Sequence, residues 1–88
     1  MRRQRKEITV YGTETCKDSI RSRAWLNGCG IAYRWVDVDR DRDGYAYVVE
    51  VNNGRRTIPT IVLDDGSILV EPSDEELAEK LGKRPTGQ

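Results

Sequence analysis

Cys16 and Ser19 stand three residues apart in "YGTETCKDSIR", residues 11–21. A redox dithiol, C-x-x-C, would carry two thiols at that spacing; here a thiol is followed by a hydroxyl. A single thiolate is still competent, because it attacks a disulfide sulfur and forms a mixed disulfide without a second thiol. The chain holds two cysteines and no histidine. That composition excludes imidazole acid–base catalysis, most zinc sites and a disulfide scaffold. Cys29 is an unsuitable resolving thiol: about 1.5 Å of helix per residue puts it roughly 20 Å from Cys16, against a disulfide limit of about 7 Å. We read it as a bystander, with an intermolecular disulfide as the alternative.

The elements that must position Cys16 are legible from periodicity. Residues 7–11 in "EITVYG" alternate and predict a strand. From Cys16 to about Cys29 the alternation stops, which predicts a helix with Ile20, Ala24 and Leu26 inward and Arg21 and Arg23 outward. Gly28 or Gly30 closes it. A second strand is expected over 32–38, and a second helix capped by Asp41, with Tyr45, Val48, Val49 and Asn52 at helical spacing. Residues 58–63, the "DDG" turn and "SILVE" read as a hairpin. In the last helix Ser73 and Glu76 form a capping box, Leu77 and Leu81 face inward, and Gly82 ends it. The order β-α-β-α-β-β-α predicts an α/β domain with a mixed four-stranded sheet and helices on both faces. We expect a flexible basic lead-in over 1–6, one domain over 7–82 and a disordered tail over 83–88.

In that arrangement Cys16 lies at or just before the first turn of helix one. Unpaired backbone N–H groups and the positive end of the helix dipole favour a thiolate there. Lys17 adds positive charge, while Glu14 and Asp18 oppose it. From position alone, a structural cysteine packed under the helix start remains an equal reading. Pro59 adds a second signal, since proline is unusual at a strand start. A cis bond there would leave the backbone of Thr57 and Ile58 free for a partner chain.

The cysteine motif, "GIAY" after helix one, "TIPT" and "DGSILVEPS" together resemble the glutaredoxin branch of the thioredoxin superfamily, with mycoredoxin-like bacterial members the nearest in pattern. The resemblance runs from about Ile8 to Gly82 and implies a thioredoxin-like fold. It implies that Cys16 attacks mixed disulfides between a protein and a low-molecular-weight thiol, glutathione or mycothiol, serving as co-substrate with no bound cofactor. Pro59 matches the family's cis-proline. Thr57 and Ile58 match the segment that pairs with the small thiol, Ser73 and Asp74 match the region that binds its carboxylate, and Lys17 joins these substrate-binding positions. Cys16-Lys17-Asp18-Ser19 departs from C-x-x-C, so the catalytic pair is Cys16 with Ser19, and the expected route uses one cysteine. Two other classes stay open: an iron–sulfur carrier, against which the bulky Lys17 argues, and a redox-inactive binding module.

One segment offers different chemistry. "DRDRDGYAYVVE" fits a calcium loop through Asp39, Asp41, Asp43, the Tyr45 carbonyl and Glu50. A strand rather than a helix precedes it, Ala46 stands where a larger apolar residue is usual, and Arg40 and Arg42 offset the carboxylates. We therefore read a turn and helix cap there, and no metal site. Trp25 and Trp35 read as packing or half-exposed surface. Arg23 reads as solvated, or as positive potential near the small-thiol groove. Fifteen basic and fifteen acidic residues balance, which gives no pull toward nucleic acid or membrane. With no apolar run of membrane-spanning length, the expectation is a cytoplasmic monomer whose partners are the small thiol and a disulfide-containing protein.

Overall fold

The computed structural model describes residues 7–85. The basic lead-in expected over 1–6 and residues 86–88 of the tail lie outside the described residues. Seven elements follow in the expected order: β1 Ile8–Gly12, α1 Lys17–Gly28, β2 Tyr33–Asp37, α2 Arg42–Val51, β3 Thr60–Val62, β4 Ile68–Val70 and α3 Asp74–Leu81. The sheet order is β2-β1-β3-β4, with β1 and β2 parallel and the other pairs antiparallel.

Alternation in β1 divides the protein into its two faces. Ile8 and Val10 point to a core shared with Trp25 and Leu26 of α1, Ile61 of β3, Leu63, and Leu77 and Ala78 of α3. Tyr11 points the other way and stacks on Tyr47 of α2, with ring centroids 4.9 Å apart. Burial and the neighbouring Tyr47 both raise the Tyr11 phenol above its ordinary pKa. Gly44 brings α2 close to the sheet on this face: a Cβ there would stand 2.5 Å from Val36 Cγ1.

Helix one buries Leu26 as expected, but not Ile20 or Ala24. Ile20 is 49% exposed and Ala24 is exposed, while Ser19, Ser22, Trp25 and Leu26 are buried. The reason is volume. Gly12 ends β1 directly beneath Ser19, and a Cβ on Gly12 would overlap the Ser19 hydroxyl and lie 2.8 Å from its Cβ. The helix start comes so near the sheet that only a small side chain fits between them, whatever its polarity. In α2 Val48 is buried and Val49 and Asn52 are half-buried, as their spacing suggests, but Tyr45 is exposed and Gly44 takes the inward place before it. Gly12→Ala is expected to destabilise the protein by about 1–3 kcal/mol through overpacking. A chemical denaturation midpoint measures it, and a Ser19→Gly partner substitution should recover part of the loss.

The helix caps follow the local sequence. Asp41 Oδ1 accepts from Gly44 N at 2.9 Å. Ser73 and Glu76 form the reciprocal capping box, and Gly82 ends α3 at φ 65°. The αL residue after α1 is Gly30, at φ 69°.

Candidate active site

Strand direction gathers four connections along one edge of the sheet. β1 and β2 end there, at Gly12 and Asp37, which are register partners. β3 starts there, because Tyr11 pairs with Thr60, and β4 ends there, because Thr60 pairs with Val70. The turn carrying Cys16 is thus flanked on one side by the segment after β2. On the other side lie the segment before Thr60 and then the turn into α3.

Cys16 is the N-cap of α1, with extended backbone (φ −83°, ψ 118°) and no side-chain cap bond. Its carbonyl accepts from Ile20 N at 3.0 Å. The thiol is free and half-buried. Among the described residues no capping oxygen covers the N–H groups of the first turn, so they remain open to an anion at this end. Lys17 is exposed. Ser19 is fully buried, and its hydroxyl has no hydrogen-bond partner, Cys16 included. Cys29 caps the opposite end of the same helix.

The Ile58–Pro59 peptide bond is cis. The Thr57 carbonyl accepts from Thr60 Oγ1 at 2.7 Å, and that oxygen accepts from Asn52 Nδ2 at 3.1 Å. The Pro59 carbonyl accepts from Glu71 N at 2.8 Å. Glu71 holds φ 50°, a left-handed conformation that L side chains disfavour. The half-buried Ile58 takes part in no backbone hydrogen bond among the described residues.

At the start of α3, the N–H groups of Ser73 and Glu76 are taken by its own side chains. Ser73 Oγ accepts from Glu76 N at 3.1 Å, and Glu76 Oε1 accepts from Ser73 N at 2.8 Å. Asp74, Glu75 and Glu76 place three carboxylates in this first turn. Asp74 Oδ1 is buried without a hydrogen bond, and Arg21 Nη1 stands 3.6 Å from it, in ion-pair range but long for a bond. Arg21 also reaches the Pro72 carbonyl and Asp18, each at 3.4 Å, and so joins α1 to the turn before α3. The sequence placed Arg21 merely outward. The missed signal was its position one helical turn beyond Lys17, on the side of Asp18.

On the other flank, Glu14 accepts twice: from Arg23 Nη1 at 3.3 Å through Oε1, and from Trp35 Nε1 at 3.2 Å through Oε2. The Arg23 guanidinium lies over the Trp35 ring, 3.9 Å from its centroid, and Arg23 Nε donates to the Tyr33 hydroxyl at 3.4 Å. Burial works against the Arg23 charge, but Tyr33 and Glu14 outweigh it and hold the guanidinium above its ordinary pKa. Arg23 is therefore not simply solvated, and its charge is bound by Glu14. Arg56, next to Thr57, is likewise paired with Asp39 at 3.2 Å. In the segment that matched a calcium loop, Asp41 is used as a helix cap and Asp39 in this ion pair. Among the described residues no group of three or more His, Cys, Asp or Glu could hold a metal ion. No helix among them is long and apolar enough to cross a membrane.

The glutaredoxin family profile matches residues 8–68. A Mycobacterium tuberculosis protein bearing the glutaredoxin name is 40% identical over 76 residues, covering 86% of this chain and 90% of its own. Mycoredoxin 1 of Corynebacterium glutamicum is 33% identical over 75 residues, covering 84% and 91%. Among solved structures, the glutaredoxin of Methanosarcina mazei superposes with a TM-score of 0.72 at 27% identity, over 88% of this chain and 79% of that one. The thioredoxin-like protein BC3987 superposes with a TM-score of 0.73 at 23% identity, over 83% and 97%, and shares the fold.

Proposed function

Because the chain belongs to the glutaredoxin family of thiol–disulfide oxidoreductases, we propose that Cys16 exchanges disulfides by a one-cysteine route. The observation that carries this reading is the placement of Cys16 at an N-terminus of α1 that no side chain among the described residues caps, on the sheet edge where, among those residues, the Ile58 backbone is unpaired. The Cys16 thiolate attacks the small-thiol sulfur of a protein mixed disulfide. A Cys16–small thiol disulfide forms, and the protein thiol leaves. A second small thiol then attacks that bond, releasing the small-thiol disulfide and restoring the Cys16 thiolate. Electrons balance with the free small thiol as reductant, so no second protein thiol is needed.

Thr57, Ile58 and Pro59 would line the small thiol on one side, with Lys17 beside the sulfur and Ser73 and Asp74 at the far end. Three features favour a small thiol that carries no carboxylate at the α3 end. The capping box occupies the Ser73 and Glu76 N–H groups, three carboxylates crowd that first turn, and Arg21 and Arg56 are already paired. Of the two candidates, mycothiol fits that environment better than glutathione. The test is to incubate the protein with a peptide in mixed disulfide with each thiol, then locate and weigh the adduct by mass spectrometry. The expected result is an adduct on Cys16, formed faster from mycothiol; no adduct on Cys16 with either thiol overturns the reading.

Ser19 contributes no second thiol, and its buried hydroxyl is unpaired. Ser19→Ala should therefore leave exchange nearly unchanged. It should stabilise the fold by about 1 kcal/mol, since an unsatisfied buried hydroxyl is lost. Thermal melts together with the exchange assay check both halves of this expectation.

A further inference from the structure

Disulfide exchange at Cys16 requires only the thiol, the small thiol and the protein disulfide. The Glu14–Arg23–Trp35 cluster lies outside that list, yet it grips the turn that carries the thiol. Glu14 precedes Cys16 by two residues, and its carboxylate is tied to the middle of α1 through Arg23 and to β2 through Trp35. Arg23 in turn is fixed from two more directions, by the face of the Trp35 ring and by the Tyr33 hydroxyl. A guanidinium held on three sides is less free to leave its carboxylate than one in an ordinary exposed ion pair.

We propose that Arg23 is a positioning residue for Cys16: it binds the Glu14 carboxylate, two residues before the thiol, and keeps that charge from standing unpaired at the turn. The proposal rests on the reading of Cys16 as the nucleophile. A carboxylate released near a thiolate disfavours its negative charge and lowers the reactive fraction. At the separations and solvent exposure of a surface turn, the expected effect is roughly three- to tenfold in reactivity. The other charges along this edge are unchanged in every variant below and cancel in the comparison. Among them are Lys17, Asp18 and Arg21 on α1, Asp37, Asp39 and Arg40 at and after the end of β2, Arg55 and Arg56 before β3, and Asp74 on α3.

The experiment measures the rate at which iodoacetamide, a neutral probe, labels Cys16 at one fixed pH, read on the Cys16 peptide by mass spectrometry. Arg23→Met should slow labelling roughly three- to tenfold. Glu14→Gln should label at or above the wild-type rate, because an amide keeps the bond from Trp35, carries no charge and leaves the Arg23 cation unopposed. The decisive variant is the Glu14→Gln/Arg23→Met double, which should return to near the wild-type rate. A purely structural role would leave the double as slow as Arg23→Met or slower, and that outcome overturns the proposal. If Arg23→Met fails to fold, Arg23→Lys takes its place. It keeps a cation within reach of Glu14 and should label at near the wild-type rate, and marked slowing there also overturns the proposal. Labelling requires no disulfide substrate. A protein whose Cys16 follows this pattern but exchanges no disulfide would refute the proposed function and leave the clamp standing.

Discussion

Cys16→Ser is expected to abolish disulfide exchange, by on the order of a thousandfold or more, and at the same time to stabilise the protein. The loss follows from chemistry. The thiolate is the attacking species, and a serine hydroxyl is neither ionised near neutral pH nor able to form the sulfur–sulfur intermediate. The gain follows from position. Cys16 is the N-cap of α1 and offers no side-chain cap bond, whereas serine is among the preferred N-cap residues and is worth about 0.5–1 kcal/mol over a residue that cannot cap. The two effects have opposite signs, which separates them from general unfolding. A thermal melt should rise while release from a mixed-disulfide peptide disappears. Retention of exchange in Cys16→Ser, with loss in Cys29→Ser, would move the chemistry to the other end of the helix and overturn the reading. The N-cap position of α1 holds a residue that forms no cap bond, and the proposed reactivity gives a reason for it to be there.

Leu26→Ala is expected to cost about 3 kcal/mol, within the 2–5 kcal/mol range of buried leucine truncations. Leu26 is fully buried, in the cluster with Val10, Ile61 and Leu77 that joins α1, the sheet and α3. In a domain of this size such a loss lowers Tm by roughly 10–20 °C. Ile20→Ala is the matching control: Ile20 is 49% exposed, so its truncation should stay within about 0.5 kcal/mol. Guanidine titrations of the two variants decide which face of α1 is inward. A larger loss at Ile20 than at Leu26 would mean that the helix is rotated to put Ile20 inward.

The element order, the two-strand crossover, the hairpin and all three helix starts could be read from the sequence because each rests on short-range physics. β1 shows period-two alternation. Asp41 and the Ser73/Glu76 pair satisfy N–H groups within a few residues of themselves. Cys16 could be placed at a helix start for the same reason. Which face α1 turns inward was decided only in three dimensions. Gly12 and Ser19 meet across the contact between β1 and α1, and the space left between them admits a hydroxyl but not an isoleucine side chain. Periodicity registers polarity along one element and carries no information about the clearance to its neighbour.

The same limit applies around the thiol. Glu14, Arg23 and Trp35 come from a loop, a helix and a strand, and Arg21 reaches the Pro72 carbonyl 51 residues along the chain. Arg23, taken alone, looks solvated, and Glu14 looks like a charge opposing the thiolate. Their pairing exists only once β1, α1 and β2 are packed. The sequence by itself determined which residue is the nucleophile candidate and which local caps and turns deliver it, because those are set by neighbours in the chain. Tertiary structure decided which charges around Cys16 are free and which are already bound, because ion pairs form by proximity in space, and proximity across the sheet edge is not encoded in any local window of sequence.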